Sequence, residues 1–293
     1  MSVIEINQLT KDYGGGRGIF NVSLSVSKGE VFGFLGPNGA GKSTTIRHLM
    51  GFIHGNSGSC KINGLDCMED RSRIQKKLGY LPGEIAFMDD MTGIAFIKFA
   101  ASVRGMKDLS RAYELMEMFE LNASGKIKKM SKGMKQKVGI VCAFMHDPEI
   151  LILDEPTSGL DPLMQNRFIE LILSEKERGK TIFMSSHIFE EIERTCDRTA
   201  MIKDGHLIAV EDVNSIKASK HKSYVLTFAT EEEASRFTTD VTDAKLISPI
   251  KVKVHYQGTL PPFLKLISEY KIMDLDTTTP TLEELFLHFY GRG

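Results

Sequence analysis

Val31-Phe32-Gly33-Phe34-Leu35 runs straight into Gly36-Pro37-Asn38-Gly39-Ala40-Gly41-Lys42-Ser43-Thr44, and the stretch beyond carries Ile46, Leu49 and Met50 at helical spacing before Gly51 ends it. An uninterrupted apolar run of this kind reads as a strand covered on both faces. Strand, glycine-rich loop and helix thus follow in the order that builds an anion cradle. Small glycines let the backbone curl with several N–H groups pointing inward, and the helix dipole adds favourable potential for negative charge. The loop satisfies G-x-x-x-x-G-K-[ST] from Gly36 to Ser43. The pattern gives each residue a task. The backbone of Gly36, Asn38, Gly39, Ala40, Gly41 and Thr44 wraps phosphate, the Lys42 ammonium bridges the β- and γ-phosphates of a nucleoside triphosphate, and the Ser43 hydroxyl ligates Mg²⁺. A glycine-rich turn without a ligand is the plain alternative, and the flanking strand and helix argue against it.

Downstream, Ile150-Leu151-Ile152-Leu153-Asp154-Glu155 reads as a second buried strand that delivers two carboxylates at its C-terminal end, where open α/β sheets hold their ligands. Asp154 suits a Mg²⁺ partner through water. Glu155, pointing elsewhere, is the candidate to orient or deprotonate an attacking water.

Strands also read over 3–9 and 22–26, and the segment 83–148 is mainly helical, with helices over 92–103, 110–119 and 131–145. The sheet resumes with 150–153, a helix over 162–177, a strand over 181–184 and a hairpin, 198–202 with 206–210, around Asp204-Gly205. The expected fold class is α/β for a first domain spanning 1–214. Near Ser215 the chain turns Lys- and Ser-rich, which marks a boundary, and 215–293 reads strand, helix, strand, strand, helix, strand, with a final helix from Thr281. That order predicts a small α+β ferredoxin-like C-terminal domain.

Composition excludes several classes. Thirty-seven Lys and Arg against 38 Asp and Glu leave a net charge of -1, so no global field attracts nucleic acid or an anionic bilayer. Hydrophobic residues make up 42%, too many for a disordered chain. The longest apolar run, 140–145, is far short of the roughly 20 residues a spanning helix needs, and 1–7 lacks the pattern of a secretory signal, so a cytoplasmic location is expected. Cys60, Cys67, Cys142 and Cys196 are distant in sequence without metal-ligand spacing and read as buried thiols.

Further motifs fall in an order that resembles the ATPase subunit of ABC transporters across the whole first domain. Met130-Ser131-Lys132-Gly133-Met134-Lys135-Gln136 stands where that family has its LSGGQ signature, Ser158-Gly159-Leu160-Asp161 matches the D-loop, and His187 after 181–186 matches the switch histidine. The resemblance implies an ABC cassette of the P-loop NTPase fold, with a mixed sheet core and a helical subdomain at 83–148. It implies ATP and Mg²⁺ as ligands and two subunits, identical copies, paired head to tail around two nucleotides. In such a pair Tyr13 stacks on adenine, His187 contacts the γ-phosphate, and Ser131, Gly133 and Asp161 complete the site across the interface. It further implies a separate membrane permease as partner, a peripheral position on the inner face of the membrane, and ATP hydrolysis that drives solute transport. The C-terminal domain ending in Thr281-Leu282-Glu283-Glu284-Leu285-Phe286 resembles the ATPases of ABC-2 drug and antibiotic exporters, which points to export.

The residues alone leave plainer alternatives open: Ser131 and Asp161 as ordinary helix caps, Tyr13 as a strand-end tyrosine, His187 as a surface or core histidine. A soluble ABC ATPase acting on the ribosome or DNA is the alternative function, disfavoured by a single cassette without sustained heptads. A GTPase or small-molecule kinase would lack the Ser131 and Ser158 elements. Three positions depart from the family pattern. Gly83 stands where the Q-loop glutamine belongs, with Glu84 next to it as a possible substitute, and Lys132 and Met134 replace the usual Gly and Gln of the signature.

Overall fold

A computed structural model describes residues 2–218, 222–256 and 260–278. It divides into two compact units, Met1–Asn214 and Ser215–Gly293. The final helix expected from Thr281 lies outside the described residues.

The first unit begins with β1 (Ser2–Asp12), β2 (Gly18–Ser27), β3 (Val31–Leu35), α1 (Lys42–Leu49), β4 (Ser57–Ile62), β5 (Leu65–Asp66), α2 (Arg71–Lys77) and β6 (Leu78–Leu81). The helical segment follows as α3 (Gly93–Val103), α4 (Ser110–Met118) and α5 (Lys132–Phe144). The chain returns to the sheet with β7 (Ile150–Asp154), α6 (Pro162–Glu177), β8 (Thr181–Ser186), α7 (Phe189–Thr195), β9 (Arg198–Lys203) and β10 (His206–Asp212), and α8 (Val213–Ala218) follows.

Two sheets form. One is four-stranded in the order β2-β1-β4-β5, and the other six-stranded in the order β10-β9-β3-β8-β7-β6. In the larger sheet β9, β3, β8, β7 and β6 pair in parallel and β10 adds an antiparallel edge. The mixed α/β reading of the cassette is borne out. Every residue of β3, β7 and β8 is buried, as the apolar runs Val31–Leu35 and 150–153 demand of strands covered on both faces, and in β8 the burial extends to Thr181, Ser185 and Ser186. Phe32 and Phe183 stack at 5.9 Å inside this core.

Parallel pairing levels the C-terminal ends of the three central strands. Leu35 registers with Ser186, and Asp154 with Ser185, so the residues that follow, Gly36, Glu155 and His187, emerge side by side. The Gly36 N–H closes the edge by donating to Ser186 O at 3.2 Å.

The sequence reading missed β4, β5, α2, β6 and α7. These elements are short, and β4 and α2 are mostly exposed, so neither periodicity nor an apolar run marks them. It also read Cys60 and Cys67 as distant. Cys67 N–H donates to Cys60 O at 3.0 Å at the β4–β5 hairpin, and the neighbouring Cys60 thiol together with burial pushes the Cys67 thiol up.

The second unit contains β11 (Lys222–Phe228), α9 (Glu231–Asp240), β12 (Ala244–Ser248), β13 (Lys251–Tyr256), α10 (Leu260–Ile267) and β14 (Ile272–Thr278). Its antiparallel sheet has the order β12-β13-β11-β14. Alternation along β11 turns Tyr224, Leu226 and Phe228 to one face, where they meet Phe237, Val252, Val254 and Phe263 in a separate core. Tyr224 and Phe263 stack at 4.4 Å.

Candidate functional site

The loop after β3 is shaped by glycine. Gly41 caps α1 at φ 111, in left-handed space that L side chains rarely enter, and a Cβ there would lie 2.6 Å from Ile19 Cγ2. No side chain caps α1 and its first turn holds no acid, so the N–H groups of that turn remain for an anion. Lys42, 5% exposed, folds back over the loop. Its Nζ donates to Gly36 O at 2.7 Å and Pro37 O at 3.1 Å and lies 2.9 Å from Glu155 Oε1.

Glu155 is the centre of this network. It sits at φ 48, an unusual conformation for a residue with a side chain and worth about 1 kcal/mol or more of strain. Its Oε2 lies 2.6 Å from His187 Nδ1, and its backbone N–H donates to Ser185 Oγ at 3.0 Å. Buried Gln136 of α5 holds the turn from the other side, donating to Pro156 O at 2.8 Å and Glu155 O at 3.3 Å. One carboxylate thus joins the β3 loop to the residue after β8. Asp154, 4% exposed, accepts from Ser185 Oγ at 2.6 Å through Oδ1. A Cβ on Gly83 would stand 3.1 Å from Asp154 Oδ2, which places the departed Q-loop position directly against this acid. Glu84 is exposed.

Around Lys42 lies a pocket of about 410 Å³. It brings together Tyr13, Asn38, Gly39, Gly41, Lys42, Ser43, Thr44 and Glu155 from the sequence reading. Gly36 contributes its carbonyl to Lys42, and Ala40 is buried beneath with its carbonyl accepting from Gly205 N–H at 3.1 Å. Gly16, Arg17, Gly18, Asp204 and Gly205 also line the pocket and were not foreseen as site residues. The glycines at 14–16 and 18 and the Asp204-Gly205 turn were signals that could have found them. Tyr13, 48% exposed, is held by its N–H donating to Arg17 O at 2.8 Å.

Ser131, Gly133 and Asp161 do not line this pocket. Ser131 caps α5, accepting from Met134 N–H at 3.2 Å, and Asp161 caps α6, accepting from Met164 N–H at 3.0 Å ahead of Pro162. The two segments touch each other. Lys132 Nζ donates to Ser158 Oγ at 2.9 Å, and a Cβ on Gly133 would meet Gly159 O at 2.6 Å.

A larger pocket, about 650 Å³, opens at the other end of the strands near Lys28, Glu149 and Thr181 and contains none of the predicted residues. Of its three cations, Arg178 and Lys180 are paired with Asp147, at 2.8 and 2.9 Å.

The donors near Lys42 fit a hard divalent cation. Ser43 and Asp154 offer hydroxyl and carboxylate oxygens, and no cluster of three or more His, Cys, Asp or Glu exists among the described residues. That sparse oxygen set suits Mg²⁺, which keeps waters and substrate phosphates as its remaining ligands.

Residues 19–158 match a family model described as ABC transporter. The chain is 32% identical to the linearmycin resistance ATP-binding protein LnrL of Bacillus subtilis (strain 168), over 99% of each chain. It is also 32% identical to the bacitracin transport ATP-binding protein BcrA of Bacillus licheniformis, over 100% of this chain and 98% of that one. Among solved structures, an ATP binding subunit of an ABC transporter is 32% identical, with a TM-score of 0.67 over 74% of this chain and 92% of that one. A dimeric bacterial ABC transporter cassette is 25% identical, with a TM-score of 0.65 over 72% and 98%.

Proposed function

The chain belongs to the ATP-binding, ATP-hydrolysing proteins of the ABC transporter family, and from that premise we propose that it drives export of a solute through a separate membrane permease, as half of a head-to-tail pair of identical subunits. The observation that carries this reading is the chain of contacts from Lys42 through Glu155 to His187, at 2.9 and 2.6 Å, beneath an uncapped helix start.

In this reading ATP enters with adenine against Tyr13 and its phosphates in the backbone from Gly36 to Thr44. Lys42 exchanges its ion pair with Glu155 for the β- and γ-phosphates, a stronger charge-assisted partner. Glu155 is thereby released to orient water and take its proton, while His187 turns to the γ-phosphate. The water oxygen bonds to the γ-phosphorus as the bond from that phosphorus to the β–γ bridging oxygen breaks, giving ADP and phosphate, and the proton held by Glu155 passes to phosphate. Ser43 and Asp154 would hold Mg²⁺, which when bound neutralises charge developing on the phosphate oxygens.

The γ-phosphate would be completed by Ser131 and Gly133 of the partner subunit, with Asp161 at the interface. The absence of these residues from the pocket of their own chain supports that arrangement. Contacts present only with the γ-phosphate supply the differential affinity that closes the pair on ATP and opens it after hydrolysis.

Two relatives named for linearmycin resistance and bacitracin transport match nearly the whole chain, the second unit included, which supports export of antibiotic-like compounds. The strand order of Ser215–Gly293 supports a ferredoxin-like domain there. Among the described residues no helix is long and apolar enough to cross a membrane, consistent with a peripheral place on the cytoplasmic face beside a permease. A nucleic-acid partner is not part of this reading.

Two measurements test it. Glu155→Gln should bind ATP, lose turnover and accumulate as a dimer, so a gel-filtration profile with ATP that stays monomeric counts against the pair. Purification from gently solubilised membranes should yield a polytopic companion, and a ribosomal companion instead would overturn transport.

A further inference from the structure

Glu191 is 4% exposed, lies in α7, and has no task in the chemistry above. Its carboxylate accepts from two hydroxyls that belong to two different strand ends. Thr157 Oγ1 donates to Oε1, and Ser186 Oγ donates to Oε2 at 2.7 Å. The Ser186 oxygen in turn accepts from Ile188 N–H at 2.9 Å. Thr157 and Ser186 are as buried as the acid they serve, at 4% and 1% exposure. Thr157 follows Glu155 by two residues and precedes Ser158, while Ser186 directly precedes His187. One buried acid therefore spans the turn that carries Glu155 and the turn that carries His187.

A carboxylate kept in the interior is costly, and an apolar side chain would fill the same space more cheaply. Burial raises its pKa, and the two hydroxyl bonds oppose that rise by favouring the charged form. The acid is therefore matched to these two hydroxyls in particular. They are the points at which the Glu155 and His187 backbones could otherwise drift apart when Lys42 leaves Glu155 for phosphate. Glu155 is already in a strained conformation, so its turn needs external restraint, supplied by Gln136 on one side and Thr157 on the other.

We propose that Glu191 is a positioning residue for ATP hydrolysis, clamping the turn at Thr157 to the turn at Ser186 so that Glu155 and His187 keep their alignment at the γ-phosphate. The inference rests on the roles given to Glu155 and His187 above.

The test is steady-state ATPase kinetics on the full chain, with ATP-binding sites counted by titration so that kcat refers to folded protein. Glu191→Ala is expected to lower kcat at least tenfold with KM for ATP within about twofold. Glu191→Gln, which can accept from one hydroxyl and donate to the other, should recover most of that loss. A general structural weakening would reduce the number of binding sites and leave kcat per site and the Gln rescue without a pattern. Should Glu191→Ala not fold, Thr157→Val keeps the volume and removes one arm, and it should lower kcat roughly three- to tenfold at unchanged KM. Wild-type kcat per site in Glu191→Ala, or in Thr157→Val where it replaces it, overturns the proposal. Wild-type turnover in Glu155→Gln, measured alongside, would instead overturn the assignment on which it rests.

Discussion

Two helices of the first unit open with a small residue followed by a lysine: Gly41-Lys42 at α1 and Ser131-Lys132 at α5. At α1 no side chain caps the helix, the glycine is left-handed, and the lysine is buried over the loop it serves. At α5 the serine hydroxyl takes the Met134 N–H, and the exposed lysine reaches away to Ser158. The first start is left open by its own sequence and closes on nothing but an anion. The second is already engaged with its own helix and with the Ser158 loop. A capping hydroxyl accepts the helix N–H through a lone pair and keeps its own O–H to donate to a phosphate oxygen, so the cap and a phosphate contact are compatible. Similar local sequence thus leaves an open cradle in one place and a capped helix start in the other.

The largest break in this contrast is Lys42→Ala. Removing the only buried ammonium of the pocket should weaken nucleotide binding and turnover by roughly 10²- to 10³-fold, read by fluorescent-nucleotide binding and phosphate release. Wild-type ATPase activity would refute the site at α1. Ser131→Asp comes next and sharpens the comparison. Aspartate caps a helix as well as serine, so thermal stability should hold, but its charge repels an incoming γ-phosphate. Turnover should fall about tenfold or more. Equal losses of stability and turnover would mean that Ser131 is only a cap. Gly41→Ala, forced into left-handed space against Ile19, should cost about 1–3 kcal/mol in denaturant unfolding, whereas Ser131→Ala should cost about 1 kcal/mol.

The smallest effect is expected from acid. His146, just beyond α5, donates from Nε2 to Leu78 O and is held to a pKa of about 4, chiefly by burial. His48 in α1 is pushed down for the same first reason. Both imidazoles are neutral in the folded chain and take up protons more readily when it unfolds. Their contribution is therefore complete above the unfolded value near 6.5 and is lost as the pH falls from there toward about 4. The melting temperature should drop across that window, and less steeply in His146→Gln. A flat profile would dissociate these histidines from stability.

What could be read in advance follows a simple physical rule. The Gly36–Ser43 loop and the 150–155 strand were legible because each packs its chemistry into neighbouring residues. The caps at Ser131 and Asp161 were legible for the same reason, as local hydrogen bonds three residues long. The contacts of Lys42 and His187 with Glu155 were not, because they depend on the strand order β3-β8-β7 placing distant chain segments level. Gln136 stood inside the quoted signature, yet its hold on the Glu155 turn follows only from how α5 packs. Asp204-Gly205 was read as a hairpin turn, and both residues do adopt the positive φ that such a turn requires. That the turn also walls the pocket around Lys42 depends on β9 lying beside β3.

That turn has a mechanical consequence. Gly205 N–H donates to Ala40 O in the loop, and Gly205 O accepts from Phe20 N–H at 2.8 Å, at the start of β2. Gly205 is therefore one link, beside the Phe20–His206 ring stack at 5.1 Å, between two sheets that otherwise fold as separate ladders. ATP lodged between Tyr13 and Thr44 would straddle the same joint, so the ligand fastens the sheets that grip it. Prying them apart would empty the site, and filling it would slow amide exchange at Phe20 and Gly205.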